Sequence, residues 1–225
     1  MADARPDSGY HHGSLRDALI DAALALEPAH GPLGVSLREV ARQVGVTHAA
    51  AYHHFASKEA LLIAVAEHGF GQLLAALDQE TGLAAHPLHG VAAVAVEYAR
   101  FAVRNPSAFR FMYGTSPGSA EPLAPHHALV LDRFERRVQR AQANGIIATG
   151  PAARPAAQIW SAAHGIVALT IAGALDGVPR ARADKRTPRQ TERRTLDLVR
   201  ATIFGLLFGM AAPDSPWRRA VRPTA

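Results

Sequence analysis

The sequence predicts an all-α protein of about nine helices, with a small N-terminal helical domain and a larger C-terminal one. Of the 225 residues, 48% are hydrophobic but only 6% are aromatic, and the apolar positions are rich in alanine and leucine. Apolar residues recur at the i, i+3, i+4, i+7 spacing of an amphipathic helix, and no long alternating strand pattern occurs. A chain of this length can bury a substantial core.

The first predicted helix covers residues 14–30. Its apolar stripe includes Leu15, Leu19 and Leu26, which recur at helical spacing. Gly31 and Pro32 follow directly, and this pair ends the helix.

The next two predicted helices are short and joined by a tight turn. Ser36 stands at the N-cap of the first, and Glu39 three residues later completes a capping box. Gly45 ends that helix, because glycine tolerates the left-handed backbone of a sharp turn. Thr47 then caps a second helix at residues 48–55. Two short helices with this turn predict a helix-turn-helix, which places a row of side chains in the DNA major groove.

The remaining helices are separated by glycine, proline and polar residues. A fourth helix begins after Ser57, a second N-cap, and carries apolar residues to about residue 77. Further helices are predicted at 88–104, 106–113, 126–144, 153–175 and 191–210. Residues 114–125 and 176–190 are predicted loops.

Several blocks of the N-terminal domain match one family together. They are Leu37-Arg38-Glu39-Val40-Ala41, Gly45-Val46-Thr47, Tyr52-His53-His54-Phe55 and Ser57-Lys58-Glu59-Ala60-Leu61. In order and spacing, these blocks resemble the DNA-binding segment of the TetR family of bacterial transcription regulators. The resemblance implies a DNA-binding head at residues 1–58 and a ligand-binding and dimerisation domain at 59–212. We predict a flexible tail at 213–225.

The second short helix has one face that its core packing does not need. Family members commonly carry glycine or serine-like residues near Ala49 and Ala50, and a large aliphatic side chain at Ala51. Alanine offers no bidentate base contact, so we expect base readout from His48 and from alanine contacts to thymine methyl groups. Other polar side chains would hold phosphates. The predicted DNA contacts are Ser36, Arg38, Thr47, His48, Ala49, Ala50, Tyr52, His53 and Lys58.

The head is not basic, although the chain carries a formal net charge of +5. Residues 1–60 contain five lysines and arginines against seven acidic residues, a net charge of −2. Histidines are instead concentrated near the predicted DNA-facing surface, at positions 11, 12, 48, 53 and 54. An imidazole donates a hydrogen bond when neutral and adds a positive charge when protonated. DNA binding is therefore expected to strengthen as the pH falls.

The C-terminal domain carries a second resemblance. The segment Trp160-Ser161-Ala162-Ala163-His164-Gly165 resembles the Trp-His-Gly motif of one TetR subgroup, and Tyr10-His11-His12-Gly13 resembles that subgroup's opening. Trp160 and His164 share a helix face and either line a cavity or fill the core. Aromatic residues of two preceding helices are the other candidates. The predicted ligand contacts are Phe101, Phe109, Met112, Tyr113, Trp160 and His164.

Small residues recur along the last two predicted helices and let helix backbones approach closely. Packing within one chain explains such a pattern. The family resemblance implies instead a homodimer with a four-helix interface. The predicted interface residues are Gly165, Ala172, Gly205 and Gly209.

Other functional classes find less support in the sequence. The chain has no cysteine, which excludes disulfides and thiolate zinc sites and fits a reducing cytoplasm. The apolar run at 159–175 is too short and too polar for a membrane span, and the polar N-terminus has no secretion core. No motif of a hydrolase, a dinucleotide site or a phosphate loop occurs. No cofactor is expected.

The sequence thus predicts a cytoplasmic repressor that a small hydrophobic or amphipathic molecule releases from a palindromic operator. One alternative is a helical enzyme or ligand-binding protein without DNA binding. Its metal site would use His126 and His127 with Asp132 or His164. Another alternative is a helical protein that binds only other proteins.

Overall fold

A computed structural model describes residues 12–79, 87–114, 120–177, 187–212 and 215. Within these ranges the chain forms nine α-helices and no strand beyond one isolated bridge. The all-α prediction is confirmed. The helices are α1 (His12–His30), α2 (Leu37–Val44), α3 (His48–His54), α4 (Lys58–Gln79), α5 (Pro87–Arg104), α6 (Pro106–Tyr113), α7 (Ala120–Ala143), α8 (Ala153–Ile171) and α9 (Pro188–Met210).

Helix ends follow the local signals of the sequence in most places. Gly31, Gly45 and Gly145 have φ of +66°, +80° and +67°, a backbone conformation that glycine adopts without strain. They follow α1, α2 and α7 and end these helices as predicted. The Ser57 hydroxyl oxygen accepts a hydrogen bond from the Ala60 N–H at 3.1 Å, which confirms the cap of α4.

The predicted loop at 114–125 is wrong from residue 120 onward, because α7 already begins at Ala120. Pro122 lies in its first turn, where an N–H would have no acceptor within the helix. Leu123 is fully buried, so packing favours the early start although Pro125 lies inside the helix.

The predicted bounds of α8 and α9 also need correction. The helix α8 ends at Ile171 and not at residue 175, because Gly173 takes a left-handed φ of +71°. The helix α9 starts at Pro188 and not at residue 191, so the predicted loop at 176–190 is too long. Thr187 and Gln190 form a reciprocal capping box at its start, with proline at the first helical position.

The chain divides into two compact units. Unit 1 is Met1–Gly69 with Ser107–Leu123, and unit 2 is Phe70–Pro106 with Ala124–Ala225. In unit 1, α2 packs on both α1 and α3. The core there includes Leu19, Val40 and Leu61. The head boundary predicted at residue 58 falls within unit 1.

In unit 2, the helices α5, α8 and α9 pack against one another in all three pairs. Their core residues include Ala95, Ile159 and Ile203, all fully buried. A bridge between Ile147 and Ala211 joins the end of α9 to the turn after α7.

Three predictions fall wholly or mostly outside the described residues. They concern the opening motif at 10–13, residues 178–186 of the loop predicted before α9, and the tail. Of the tail, only Ser215 is described; it is buried, and its N–H donates to the Ala212 carbonyl at 3.0 Å.

Within the described ranges, α4 is the one helix with the length and composition to cross a membrane. Its mean hydropathy over 18 residues is 1.6, and half of that stretch is buried inside the protein. Phe70, Leu73 and Leu77 are buried. A buried core helix passes the same test, so α4 is only weak evidence for a membrane span.

Candidate DNA-binding and effector sites

The helix-turn-helix is built from capped helices. The Ser36 hydroxyl oxygen accepts from the Glu39 N–H at 3.3 Å, and its proton is donated to the Glu39 carboxylate at 2.7 Å. The hydrogen bond that the Ser36 hydroxyl donates to the carboxylate lowers the pKa of Glu39. The Thr47 hydroxyl accepts from the Ala50 N–H at 3.2 Å and so caps α3.

The helix α3 presents one face to solvent. Ala51 and Phe55 are buried and fix the helix in the core of unit 1, as predicted. Four predicted DNA contacts, His48, Ala49, Tyr52 and His53, are exposed, as are Arg38 on α2 and Thr47 before α3. The predicted base-reading face of α3 is therefore accessible to DNA.

Two predicted phosphate contacts already have partners. Ser36 donates its hydroxyl proton to Glu39, so it would have to exchange that bond for one to phosphate. The Lys58 ammonium donates to the Leu33 carbonyl and so links the start of α4 to the turn after α1. An ammonium has three donors, so Lys58 retains donors for phosphate.

Two contacts around α3 were not predicted from the sequence. The Arg16 guanidinium lies over the Phe55 ring, 5.4 Å from its centroid. His48 and Tyr52 meet edge to face with ring centroids 4.6 Å apart. Arg16 thus adds an exposed positive charge next to the end of α3. The i, i+4 spacing of His48 and Tyr52 is the one sequence signal for their contact.

A buried ion pair in unit 1 joins α1 to α6. The Glu27 carboxylate is 2% exposed, and Arg110 Nη1 donates to it at 2.9 Å. A buried carboxylate without a partner is costly, so Arg110 holds α6 to α1. The two residues are 83 positions apart, and no local pattern indicates the pair.

The predicted ligand residues fall in both units. In unit 1, Phe109 and Met112 are buried, and Tyr113 lies against Phe109 with centroids 4.9 Å apart. Met112 packs against Gly69, where an added Cβ would lie 2.9 Å from the Met112 sulfur. A side chain at position 69 would therefore require the Met112 side chain to shift.

In unit 2, Trp160 and His164 lie together on α8 with ring centroids 5.4 Å apart. The Tyr98 hydroxyl of α5 lies 2.8 Å from His164 Nδ1, a hydrogen bond that sequence analysis did not predict. Burial, and the nearby His127, lower the pKa of His164. A neutral imidazole thus lies among aromatic rings. Phe101, the third predicted ligand residue of this unit, is buried.

His126 and His127, the candidate metal ligands, pack on Phe70 with centroids 5.5 and 5.0 Å away. No hydrogen-bond partner reaches the buried His126 Nδ1. In the part of the chain that the structure describes, no three His, Asp or Glu side chains cluster closely enough to hold a metal ion. These imidazoles therefore form an aromatic cluster in unit 2.

The predicted dimer residues face outward. A Cβ placed on Gly165, Gly205 or Gly209 would meet nothing within 4 Å, and Ala172 is exposed. Close packing within one chain therefore does not account for these glycines. Large apolar side chains on the same two helices are also exposed: Leu169 (48%), Leu198 (40%) and Phe208 (39%).

Two family models match the chain. One, described as bacterial regulatory proteins of the tetR family, matches residues 19–65. The other, described as a tetracyclin repressor-like C-terminal domain, matches residues 91–193. The two models cover the helix-turn-helix and most of the C-terminal helices.

Individual relatives resemble the chain to different extents. The HTH-type transcriptional regulator BetI of Rhizobium meliloti (strain 1021) is 48% identical over 58 residues, which are 26% of this chain and 29% of BetI. The matched segment thus spans less than a third of that relative. A protein of unknown function from Rhodococcus sp. RHA1 is 36% identical, and its structure matches with a TM-score of 0.73 over 91% of this chain and 100% of that one.

A second solved structure, AibR in complex with isovaleryl coenzyme A and operator DNA, matches with a TM-score of 0.60. The match covers 82% of this chain and 97% of AibR, at 17% identity. At 17% identity, this structural match shows only that the two chains share a fold. The Trp-His-Gly subgroup stays a prediction.

Proposed function

The chain belongs to the TetR family of bacterial transcriptional regulators, and from this membership we propose a specific mode of action. It binds a palindromic operator as a homodimer and represses transcription. A small hydrophobic or amphipathic effector releases it. The observation that carries this proposal is the capped, solvent-facing helix α3 within a packed helix-turn-helix.

We assign base readout to His48, Ala49 and Ala50, with Arg38, Tyr52, His53 and the other predicted contacts on phosphates. The exposure of His48, Ala49 and Tyr52 supports this assignment. Phosphate contacts fix the register of the helix, and base contacts carry the sequence information. The methyl groups of Ala49 and Ala50 suit apolar contacts with thymine methyl groups, whereas Ala51 is buried.

The effector site that we propose in unit 2 includes Phe101, Trp160 and His164. The hydrogen bond between Tyr98 and His164 supports it, because it orients one polar group among aromatic rings. We propose ligand contacts at Phe109, Met112 and Tyr113 separately, within unit 1. That AibR, of the same fold, was solved with both a coenzyme A thioester and operator DNA supports effector control. An effector weakens DNA binding only if it binds most tightly to a conformation of the protein that binds DNA poorly.

The outward glycines and exposed apolar side chains of α8 and α9 support the homodimer. Apolar helix faces of this kind are covered in most soluble proteins. We propose that the faces bearing Gly165, Ala172, Gly205 and Gly209 pair across a two-fold axis. We assign the chain no catalytic activity, and we place it in the bacterial cytoplasm, where its operator lies.

Fluorescence anisotropy with DNA from upstream of the chain's own gene tests the proposal. We expect saturable binding to one palindromic segment, weakened by salt, and at least tenfold weaker binding to the same segment with one half-site scrambled. Equal affinity for both duplexes would overturn sequence-specific binding. In a ligand screen, an effector should raise the melting temperature of the wild type more than that of Trp160→Ala, and should release the labelled operator.

A further inference from the structure

A groove runs along the surface of unit 2 between α5 and α9. It consists of two adjoining pockets with volumes of about 350 and 340 Å³. Both pockets are lined by Arg100 of α5 and Arg200 of α9, so they meet at these two side chains. Volumes of this size suit small-molecule ligands.

One end of the groove is mainly apolar. On α5 its wall is formed by residues at the i, i+3, i+4, i+7 spacing of one helix face, and on α9 by Phe204. The His89 ring lies edge to face with Phe204 at 6.3 Å and closes this end. The other lining residues there are Ala92, Ala93 and Val96.

The other end is strongly positive. Four arginines line it against two carboxylates: Arg100, Arg189, Arg193 and Arg200 against Glu192 and Asp197. Asp197 is shared, since Arg200 lies 3.5 Å and Arg193 3.9 Å from it. Glu192 is held by Arg104 at 2.8 Å, outside the pocket lining. Arg100 also donates to the Glu97 carboxylate, one turn earlier on α5. The four arginines of the lining still outnumber its two carboxylates, and Arg104 offsets Glu97, so this end retains a net positive charge.

The groove lies apart from the proposed dimer face. On α9 it uses positions 196, 200 and 204, whereas the exposed stripe uses 198, 201, 205 and 208. At 3.6 residues per turn the centres of the two faces are about 120° apart around the helix. A partner subunit centred on the stripe would therefore leave most of the groove lining uncovered.

We propose that this groove binds an amphipathic anion, in addition to the effector site near Trp160. Its apolar tail lies between α5 and α9 against Val96 and Phe204. Its carboxylate or phosphate head group accepts hydrogen bonds from Arg100 and Arg200. The guanidinium fork matches both head groups in geometry and charge, so the tail and the charge together define the ligand class.

Isothermal titration of the full chain with decanoate and with decyl phosphate tests the proposal. We expect each to bind once per chain. Decyl glucoside, which has the tail without the charge, and inorganic phosphate, which has the charge without the tail, should bind at least tenfold more weakly. A preference for one anion over the other identifies the head group. Equal binding of decyl glucoside would overturn the role of the arginines.

Variants locate the ligand on the protein. Arg100→Gln with Arg200→Gln should weaken decyl phosphate binding at least tenfold, whereas Arg154→Gln, an exposed arginine of α8 outside the groove, should not change it. Arg200→Gln alone serves if the double variant fails to fold, since Arg200 is half exposed. Ala93→Trp should block the apolar end. If the groove variants still bound decyl phosphate and Trp160→Phe did not, the ligand would lie in the effector site. That result would overturn the proposed binding to the groove.

Discussion

At the scale of single residues, the exposed face of α3 has few charged side chains, and residues 1–60 carry no excess of positive charge. The exposed side chains of α3 are alanine, tyrosine and histidine, so few of them hold a base by two hydrogen bonds. We therefore expect the position of the helix on DNA to depend most on Tyr52, which is 46% exposed, and on Lys58.

We predict that Tyr52→Phe and Lys58→Gln each weaken operator binding by about 1 to 3 kcal/mol, the range for a hydrogen bond to a charged group. Tyr52→Phe retains the ring contact with His48 and removes only the hydroxyl. Lys58→Gln can still donate to Leu33. Anisotropy measures the affinity, and unchanged melting temperatures are the control. Wild-type affinity in both variants would contradict the proposed docking.

We predict that operator binding strengthens as the pH falls from about 7.5 to 5.5, the range in which histidine changes its charge. Phosphate favours the protonated imidazole, so binding takes up protons, and the added charge steepens the salt dependence. His48→Gln and His53→Gln should reduce the effect, whereas His89→Gln on α5 should not. Equal affinities and parallel salt slopes at pH 6 and 8 in the wild type would leave these residues as neutral donors.

Stability should depend on pH through His164. Burial lowers its pKa in the folded state below the value of about 6.5 of an exposed histidine. Below that value the unfolded chain binds the proton more readily, so the free energy of unfolding decreases as the pH falls. Urea unfolding at pH 7.5 and 5.5 should show a smaller decrease for His164→Gln than for the wild type. An equal decrease in the free energy of unfolding of the wild type and of His164→Gln would show that His164 does not cause the pH dependence.

At the scale of helices, the buried pair of Glu27 and Arg110 joins two elements that are distant in sequence. Removing one partner of a buried ion pair leaves the other uncompensated, whereas replacing both by apolar groups is often neutral. The pair thus constrains the contact between α1 and α6.

We predict that Arg110→Met destabilises the chain by about 3 kcal/mol, the lower end for a broken buried pair, because Arg110 is partly exposed. Glu27→Leu together with Arg110→Met should recover most of that loss. Equilibrium unfolding in urea measures both variants, with Arg42→Met on the exposed face of α2 as the matched control. A double variant no more stable than the single one would contradict the uncompensated Glu27 carboxylate as the cause of the loss.

Helix ends that depend only on residues nearby in the chain could be predicted from the sequence. Ser36, Gly45 and Thr47 act within four positions of themselves, so local patterns suffice. The starts of α7 and α9 were missed because proline was taken as a helix breaker, although a first turn tolerates it. The contacts of Glu27 with Arg110 and of Tyr98 with His164 link residues 83 and 66 positions apart, and only the packed fold brings them together.

At the scale of the whole molecule, the outward face of α8 and α9 determines the expected assembly. The glycines there have open space within the chain, so larger side chains fit a single subunit. Two subunits paired through this face would have no such space.

We predict a two-subunit particle at micromolar concentration in sedimentation velocity. Gly205→Leu with Gly209→Leu should shift it to a monomer with unchanged helix content by circular dichroism, and operator affinity should fall with it. Gly71→Leu on the exposed face of α4 is the control, because a Cβ there also meets nothing. A wild-type monomer that binds a palindrome tightly would contradict the dimer.

The salt bridge between α1 and α6 also determines which residues a chimera must include when the DNA-binding head is joined to a foreign sensor domain. A chimera that carries only residues 1–58 onto a foreign sensor domain would leave the Glu27 carboxylate without Arg110, and would lack the part of unit 1 that residues 107–123 supply. The transplantable module is therefore discontinuous. Exchanging operator specificity between relatives would require residues 107–123 to travel with the helix-turn-helix, or a compensating apolar residue at position 27.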